Sequence, residues 1–235
     1  MLYNINTKIM INIAIIPARK WSKWIKDKNF QLINWKPLIY YTIDSAIKSN
    51  IFSKICIATD YDKELFKQFN IEIIILPQEL VQDDSKMSDV ATFVLNNYLN
   101  NWLNFDFFTL LQPTSPFRTE KHIIEALWKF DFKKFNSLVS FVKTKNHPYK
   151  SFIYEDWKIK SLFWNEYVSL PRQMLPEVIE QNWAIYIINK DKFLKEKSFF
   201  IDPVYPFLMD EISSIDIDSK IDLYLVNNLL KLWKI

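Results

Sequence analysis

The chain has 235 residues, 49% of them hydrophobic and 24% charged, enough for one large domain with a buried core. The net charge of +3 is spread over scattered lysines, which argues against nucleic acid or an anionic membrane surface as a partner. A single cysteine, Cys56, excludes an internal disulfide, and two histidines cannot by themselves build a zinc site. No apolar stretch approaches the roughly 20 residues of a membrane helix, and Met1 to Lys8 lacks the apolar core of a signal peptide, so a cytoplasmic protein is expected.

In chain order, Ile11 to Ile16 is a short apolar run ending at Pro17, the pattern of a buried parallel strand. The folded domain is therefore expected over residues 10–235. Pro37 to Ser49 carries Leu38, Tyr41, Ala46 and Ile47 at helical spacing, with Pro37 near the first turn. Lys54 to Thr59 reads as a strand and holds Cys56 as a buried thiol. A short helix over Lys63 to Phe69, a strand over Ile71 to Leu76, and a helix over Ser88 to Tyr98 capped by Ser88 or Asp89 follow. Phe107 to Leu111 is a strand, Thr119 to Phe130 a helix, and Ser137 to Val142 a strand. This alternation predicts an α/β fold, an open and mostly parallel sheet with helices on both faces.

The rhythm breaks near His147. Phe152 to Tyr154 and Lys158 to Phe163 form a hairpin pattern around Glu155-Asp156-Trp157, and a loop with Pro171 and Pro176 follows. Residues 145–181 therefore read as an insertion within the domain. Ala184 to Ile188 resumes as a strand. Val204 to Leu208 and Ser214 to Ile217 are extended, and Lys220 to Leu230 is a terminal helix.

One compositional fact stands apart. The chain has no glycine and nine tryptophans. An average chain is about 7% glycine, roughly 16 residues at this length. Glycine supplies positive φ in turns and lets backbone approach a ligand, so a fold without it is anomalous.

Four stretches could carry chemistry. Arg19, Ser22, Lys23, Lys28 and Asn29 lie just beyond the first strand's carboxyl end, where α/β sheets bind ligands. Cations and backbone N–H groups in such a loop suit polyphosphate; lysines alone would read as a solvated turn. The chain has only three arginines, Arg19, Arg118 and Arg172, which points to sites needing a planar fork. Gln112 ends another apolar strand, in Leu110-Leu111-Gln112-Pro113-Thr114-Ser115-Pro116-Phe117-Arg118, a loop in which Thr119 caps the next helix. In Ser214-Ile215-Asp216-Ile217-Asp218, alternation puts both carboxylates on one face, where a cation such as Mg²⁺ would relieve their repulsion. The competing reading is an exposed segment with Asp218 as the N-cap of the last helix. Pro171-Arg172-Gln173-Met174-Leu175-Pro176, with Asn182-Trp183-Ala184-Ile185-Tyr186 after it, is weak alone.

As an ordered set these stretches resemble the acylneuraminate cytidylyltransferases, the CMP-sialic acid synthetase family. That family has an I-P-A-R-x-G-S-K-G-x-x-x-K-N loop, then N-G-K-P-L, L-Q-P-T-S-P-x-R, H-P-Y, R-Q-x-L-P, N-G-A-I-Y and S-I-D-I-D. All occur here between Ile16 and Asp218 once tryptophan stands for glycine at Trp21, Trp24, Trp35 and Trp183, with Trp157 at a hairpin glycine. Leu76 departs from the basic residue many relatives carry before Pro77. Three explanations of the tryptophans compete: UGA codons that mean glycine in this gene, a decayed paralogue, or a functional tryptophan-lined loop. Decay would not substitute one residue so uniformly, and the low Arg and high Lys, Asn and Ile usage suits an AT-rich gene.

The resemblance implies a Rossmann-like nucleotidyltransferase that joins CTP to a nonulosonic acid, or to a related keto sugar acid of the legionaminic, pseudaminic or Kdo kind, and releases pyrophosphate. It implies that Arg19, Ser22, Lys23, Lys28 and Asn29 hold the triphosphate, that Ser85 helps hold the nucleotide, and that Gln112 meets substrate near the reacting centre. It further implies that Asp216 and Asp218 hold Mg²⁺, that Arg172 is an active-site arginine, and that residues 145–181 form a homodimer contact. A catalytically dead paralogue is the alternative.

Overall fold

The computed structural model describes residues 3–5 and 8–233. Seven strands form the central sheet: β1 (Asn12–Ala18), β2 (Lys54–Thr59), β3 (Glu72–Ile75), β4 (Phe107–Leu110), β5 (Ser137–Lys143), β6 (Ile179–Asn189) and β7 (Val204–Leu208). Their spatial order is β7-β5-β6-β4-β1-β2-β3. β6 runs antiparallel to both β4 and β5, and every other neighbouring pair is parallel. The predicted α/β class holds, with one reversed strand that joins the insertion back into the sheet.

Apolar alternation builds a core on each face. From β1, Ala14, Ile16 and Ala18 pack with Ile39, Ile43 and Ala46 of α1 (Leu38–Ser49) and with Ile123, Ala126 and Leu127 of α3 (Glu120–Lys129). Ile13 and Ile15 point to the other face, against Val90, Ala91, Val94 and Leu95 of α2 (Met87–Asn100) and Phe193 of α4 (Lys190–Glu196). A third, smaller cluster joins Ile25, Ile33 and Leu38 to Ile217 and to Val226 and Leu230 of α5 (Lys220–Trp233). It fixes the chain around residue 217 against the loop that follows β1.

Several boundaries differ from the sequence pattern for local reasons. Lys63–Phe66 is a single 3₁₀ turn rather than a helix to Phe69. The N-cap of α2 is Lys86, not Ser88 or Asp89, and offers no side-chain cap. Residues 215–218 form no ladder strand; Ile217 N donates to Thr114 O at 2.9 Å, and Ile215 N and Asp218 N are held locally, by Ile212 O and Asp222 Oδ2. Thr119 does cap α3, in a reciprocal capping box with His122. A hairpin of Tyr3–Ile5 and Lys8–Met10 precedes β1; the remainder of Met1 to Lys8 lies outside the described residues.

The tryptophans occupy glycine's conformational niches. Asn34 (φ 44°) and Trp35 (φ 68°) are the two central residues of a hairpin whose flanking pair is Ile33 and Lys36. Asp156 (φ 47°) and Trp157 (φ 63°) do the same between Glu155 and Lys158. Two-residue loops with positive φ at both positions are type I′ turns, for which Asn-Gly and Asp-Gly are the preferred sequences. Trp183 (φ 61°) lies in the irregular stretch of β6 between Gln181 and Tyr186. Trp102 (φ 61°) follows α2, where Leu103 N donates to Tyr98 O at 3.0 Å and Trp102 N to Leu99 O at 3.1 Å. That bond pair is a Schellman motif, with Trp102 at the position usually held by glycine. Trp102 carries no family motif, so backbone geometry alone identifies it.

Burial agrees. All eight tryptophans whose burial is described are exposed, from 48% at Trp21 and Trp183 to 95% at Trp102. Tryptophan is normally among the more buried residues, because its large apolar surface is costly in water. Its absence from both large cores is what glycine codons in turns and loops would produce.

Candidate active site

The order of the sheet reverses at β1. The chain leaves β1 toward β2 and β3 on one side, then crosses back through α2 to β4 on the other. Such a switch point opens a crevice at the strands' carboxyl ends. A cavity of about 240 Å³ sits there, bounded by Pro17 and Ala18 at the end of β1 and by Gln112, Pro113 and Thr114 after β4. Arg19, Lys28, Asn29 and Ser85 complete its polar wall. Thus Arg19, Lys28 and Asn29 of the loop after β1 converge with Ser85, after β3, and Gln112, after β4.

Each is held by an identifiable contact. Arg19 Nη1 donates to Gln82 O at 2.8 Å and lies 3.8 Å from Asp83 Oδ1, which ties the segment after β3 across the mouth of the cavity. Asn29 is buried and donates to Arg19 O at 3.0 Å, fixing the curvature of the loop. Ser85 Oγ donates to Glu79 O at 3.0 Å. Lys28, in a 3₁₀ turn, reaches Asp218 Oδ1 at 3.0 Å, and its side chain is only 18% exposed.

The carboxylate pair is arranged by what surrounds it. Ile217 is fully buried between the two residues, which turns Asp216 and Asp218 together toward Lys28. The cap of α5 is Ser219, not Asp218: Asp222 Oδ2 accepts from Ser219 N and Oγ, each at 2.7 Å, and Asp222 N donates back to Ser219 Oγ at 3.3 Å. This capping box frees the Asp218 carboxylate for the site. Burial pushes Asp216 up to about 7, and Asp218 adds to the shift; the Thr114 hydroxyl and Lys28 oppose it. Asp216 Oδ1 is buried without a hydrogen-bond partner. A buried carboxylate oxygen in that state calls for a proton or a cation.

Ser22 and Lys23 stand apart from this cavity. They line a neighbouring hollow of about 500 Å³ with Lys20, Trp21, Lys26 and Asp27. The indoles engage the cations of this loop: the Trp21 ring centroid is 6.0 Å from the Arg19 guanidinium carbon, and the Trp24 centroid is 5.2 Å from Lys23 Nζ. Arg172 lines neither the cavity nor this hollow. It sits exposed on the insertion and donates to Lys145 O, so the fold of one chain does not bring it to the cavity.

A second concavity of about 440 Å³ shares Met87 with the first. Lys86, Gln181, Trp183, Tyr186, Lys197 and Phe199 line it. Burial, with the nearby charge of Asp216, raises the Tyr186 phenol and keeps it a neutral hydrogen-bonding group. Lys86 and Lys197 carry no motif and come from distant segments, so sequence spacing could not have paired them. A cation pair beside aromatic rings suits an organic acid.

The cytidylyltransferase family model matches residues 13–168. N-acylneuraminate cytidylyltransferase of Escherichia coli O18:K1:H7 is 34% identical over 213 residues, 89% of this chain and 50% of that protein. CMP-N,N'-diacetyllegionaminic acid synthase of Legionella pneumophila is 30% identical over 94% of this chain and 96% of that protein. Among solved structures, CMP:2-keto-3-deoxy-manno-octonic acid synthetase complexed with CTP superposes with a TM-score of 0.71, covering 95% of this chain and 99% of the other, and supports the fold alone at 15% identity. The chain spans about half the length of the first curated relatives it matches. A family match over most of the sheet and identity at this level along nearly the whole chain have one reading: the chain belongs to the cytidylyltransferase family.

Proposed function

We propose that the chain transfers CMP from CTP to a nonulosonic acid and releases pyrophosphate. The observation that carries this reading is that Arg19 and Lys28 line the cavity at the switch point of the sheet and that Lys28 pairs there with Asp218 at 3.0 Å, while Asp216 lines a separate concavity with Lys145 and Asp222. The acceptor's hydroxyl attacks the α-phosphorus in line, and the bond to pyrophosphate breaks. The protein's task is positioning and charge neutralisation. Arg19, Lys28 and backbone N–H groups of the loop after β1 receive the triphosphate, with Ser22, Lys23 and Asn29 shaping that loop. Ser85 borders the nucleoside. Gln112 faces the reacting centre, and the second concavity takes the sugar acid, whose carboxylate Lys86 and Lys197 attract.

The donor set fits Mg²⁺. Two carboxylates are hard oxygen donors, and the bare Oδ1 of Asp216 supplies a free lone pair. An ion held by these two carboxylates would take its remaining ligands from phosphates and water. Bound there, Mg²⁺ would neutralise charge on the attacking and leaving oxygens. Lys28, paired with Asp218, balances the carboxylates before the ion arrives.

Relatives named for N-acylneuraminate and for diacetyllegionaminate both align along the chain, and the proposed acceptor is the class the two share, a nonulosonic acid. Incubation with CTP, Mg²⁺ and a panel of such acids, followed by mass spectrometry, should yield a CMP-sugar and equimolar pyrophosphate. Absence of a CMP-sugar with every acid, in a folded protein that binds CTP, would overturn the proposal. No helix of the described residues is long and apolar enough to cross a membrane.

We also propose a homodimer built on residues 145–181. Its hairpin exposes Phe152, Ile153, Tyr154 and Ile159, and Leu162, Phe163 and Trp164 follow. An apolar surface of this kind is covered by a partner in a soluble protein. The same pairing would give Arg172 a site to serve. Ile153→Glu with Ile159→Glu should shift sedimentation from dimer to monomer and lower turnover. A parent that sediments as a monomer at micromolar concentration would reject the dimer.

A further inference from the structure

Arg118 is the largest fully buried side chain of the protein, and it makes no ion pair among the described residues. Its Nη1 donates to Gln112 O at 3.0 Å and to Ala184 O at 2.9 Å, and its Nη2 donates to Thr42 Oγ1 at 2.6 Å. Thr42 Oγ1 itself donates to Gln112 O at 3.3 Å. The guanidinium Nε has no partner. Burial alone pulls this group's pKa downward, as expected for a cation without a counter-charge.

Stability does not explain such a residue. A buried charge lacking a carboxylate is costly, and apolar side chains of similar volume often replace buried charges without loss. The fork does something an apolar chain cannot. It ties three elements at fixed angles: the carboxyl end of β4, the helix α1, and β6 next to the irregular stretch at Trp183. Gln112, Pro113 and Thr114 form the cavity wall on that side. Thr114 O in turn holds Ile217 N, between the two site aspartates.

We propose that Arg118 is a positioning residue for CMP transfer: its buried fork sets the Gln112–Thr114 wall in register with β6 and with the carboxylate segment. The inference rests on the transfer reading above. It concerns alignment of the acceptor, not retention of CTP, because the groups assigned to the triphosphate lie on the loop after β1.

The test uses whichever form of the chain, tryptophan or glycine at positions 21 and 24, transfers CMP. If neither does, the functional reading fails first, and this inference falls with it. In a transferring parent, Arg118→Ala should lower kcat about 100-fold, the scale of a misplacement near 1 Å. CTP affinity by calorimetry should stay within about threefold, the pattern of a lost transition-state alignment. Added guanidinium ion should restore part of the turnover in Arg118→Ala and none in the parent. Arg118→Lys keeps the charge but cannot reach three acceptors, and should remain impaired. Thr42→Val should lower kcat several-fold alone and add nothing on the Arg118→Ala background, since the two share one network. A folded Arg118→Ala with kcat within about threefold of the parent, or a CTP affinity that falls in step with kcat, overturns the proposal. If Arg118→Ala does not fold, Thr42→Val decides: parent-like turnover in that variant also overturns it.

Discussion

Glycine at positions 35, 102, 157 and 183 is expected to stabilise this chain, and glycine at 21 and 24 to strengthen its hold on CTP. At the first four positions the backbone is left-handed, with φ between 61° and 68°. That conformation costs an L-residue about 1–2 kcal/mol, while glycine costs folding about 0.5–1 kcal/mol in lost chain freedom. The net gain is about 0.5–1 kcal/mol per site, or about 2–4 kcal/mol for four independent sites. Against a total stability of about 5–15 kcal/mol this is a large share. The melting temperature should rise by about 5–15 °C in a chain of this size. Trp128 supplies the control. It lies within α3, not in a left-handed turn, and glycine in a helix interior costs about 1 kcal/mol. Trp128→Gly should therefore destabilise. Equal effects at Trp128 and at the four turn positions would defeat the conformational argument.

Trp21 and Trp24 need a different reason, since neither has positive φ. Their rings lie near Arg19 and Lys23, and Trp21 lines the hollow beside the cavity. Glycine there frees both cations and lets backbone N–H groups approach a phosphate. CTP affinity at matched salt should improve by at least about tenfold, equivalent to 1.4 kcal/mol. If the native gene specifies glycine, these codons are UGA and mass spectrometry of the native protein finds glycine. UGG codons at 21, 24, 35 and 183 would end that explanation.

The same residues show what could be read from sequence. The sheet was legible because each strand is an apolar run closed by a polar or proline residue, as at Ile11 to Pro17 and Lys54 to Thr59. The hairpin over residues 32–37 was not, because its strands, Leu32–Ile33 and Lys36–Pro37, are two residues each, too short to show an alternating pattern. No apolar periodicity marks the helix α4, since Lys190–Glu196 is charged and short, with one deeply buried residue, Phe193. In the site, Arg19, Lys28, Gln112, Asp216 and Asp218 declared themselves by position after strands and by alternation. The cap on Ser219 did not, because Asp218 and Ser219 are both good capping residues and only the reciprocal bond with Asp222 decides between them. Lys86 and Lys197 were invisible for a topological reason: more than a hundred residues separate them, and only the packing of α2 beside α4 and β6 brings them to one concavity.

Asp216→Asn and Asp218→Asn should each lower turnover by about two orders of magnitude or more in proteins that still fold, because each removes a carboxylate that would hold the charge-neutralising Mg²⁺. The two should differ in the metal-free protein. Asp216 is the buried member, raised to about 7 by desolvation, whereas the side chain of Asp218 is 71% exposed. The folded state therefore holds a proton on Asp216 that the unfolded chain, near pKa 4, has released. In the window between those values the native state binds more protons, so this group's contribution makes stability fall as pH rises from about 4 toward 7. Without metal, the parent should lose melting temperature across that window relative to Asp216→Asn, whose amide does not titrate. Mg²⁺ with CTP should remove the difference by giving the ionised carboxylate a partner. Parallel pH profiles for parent and Asp216→Asn would mean that Asp216 is solvated and ionised throughout. Turnover within a few-fold of the parent in either variant would remove that carboxylate from the site.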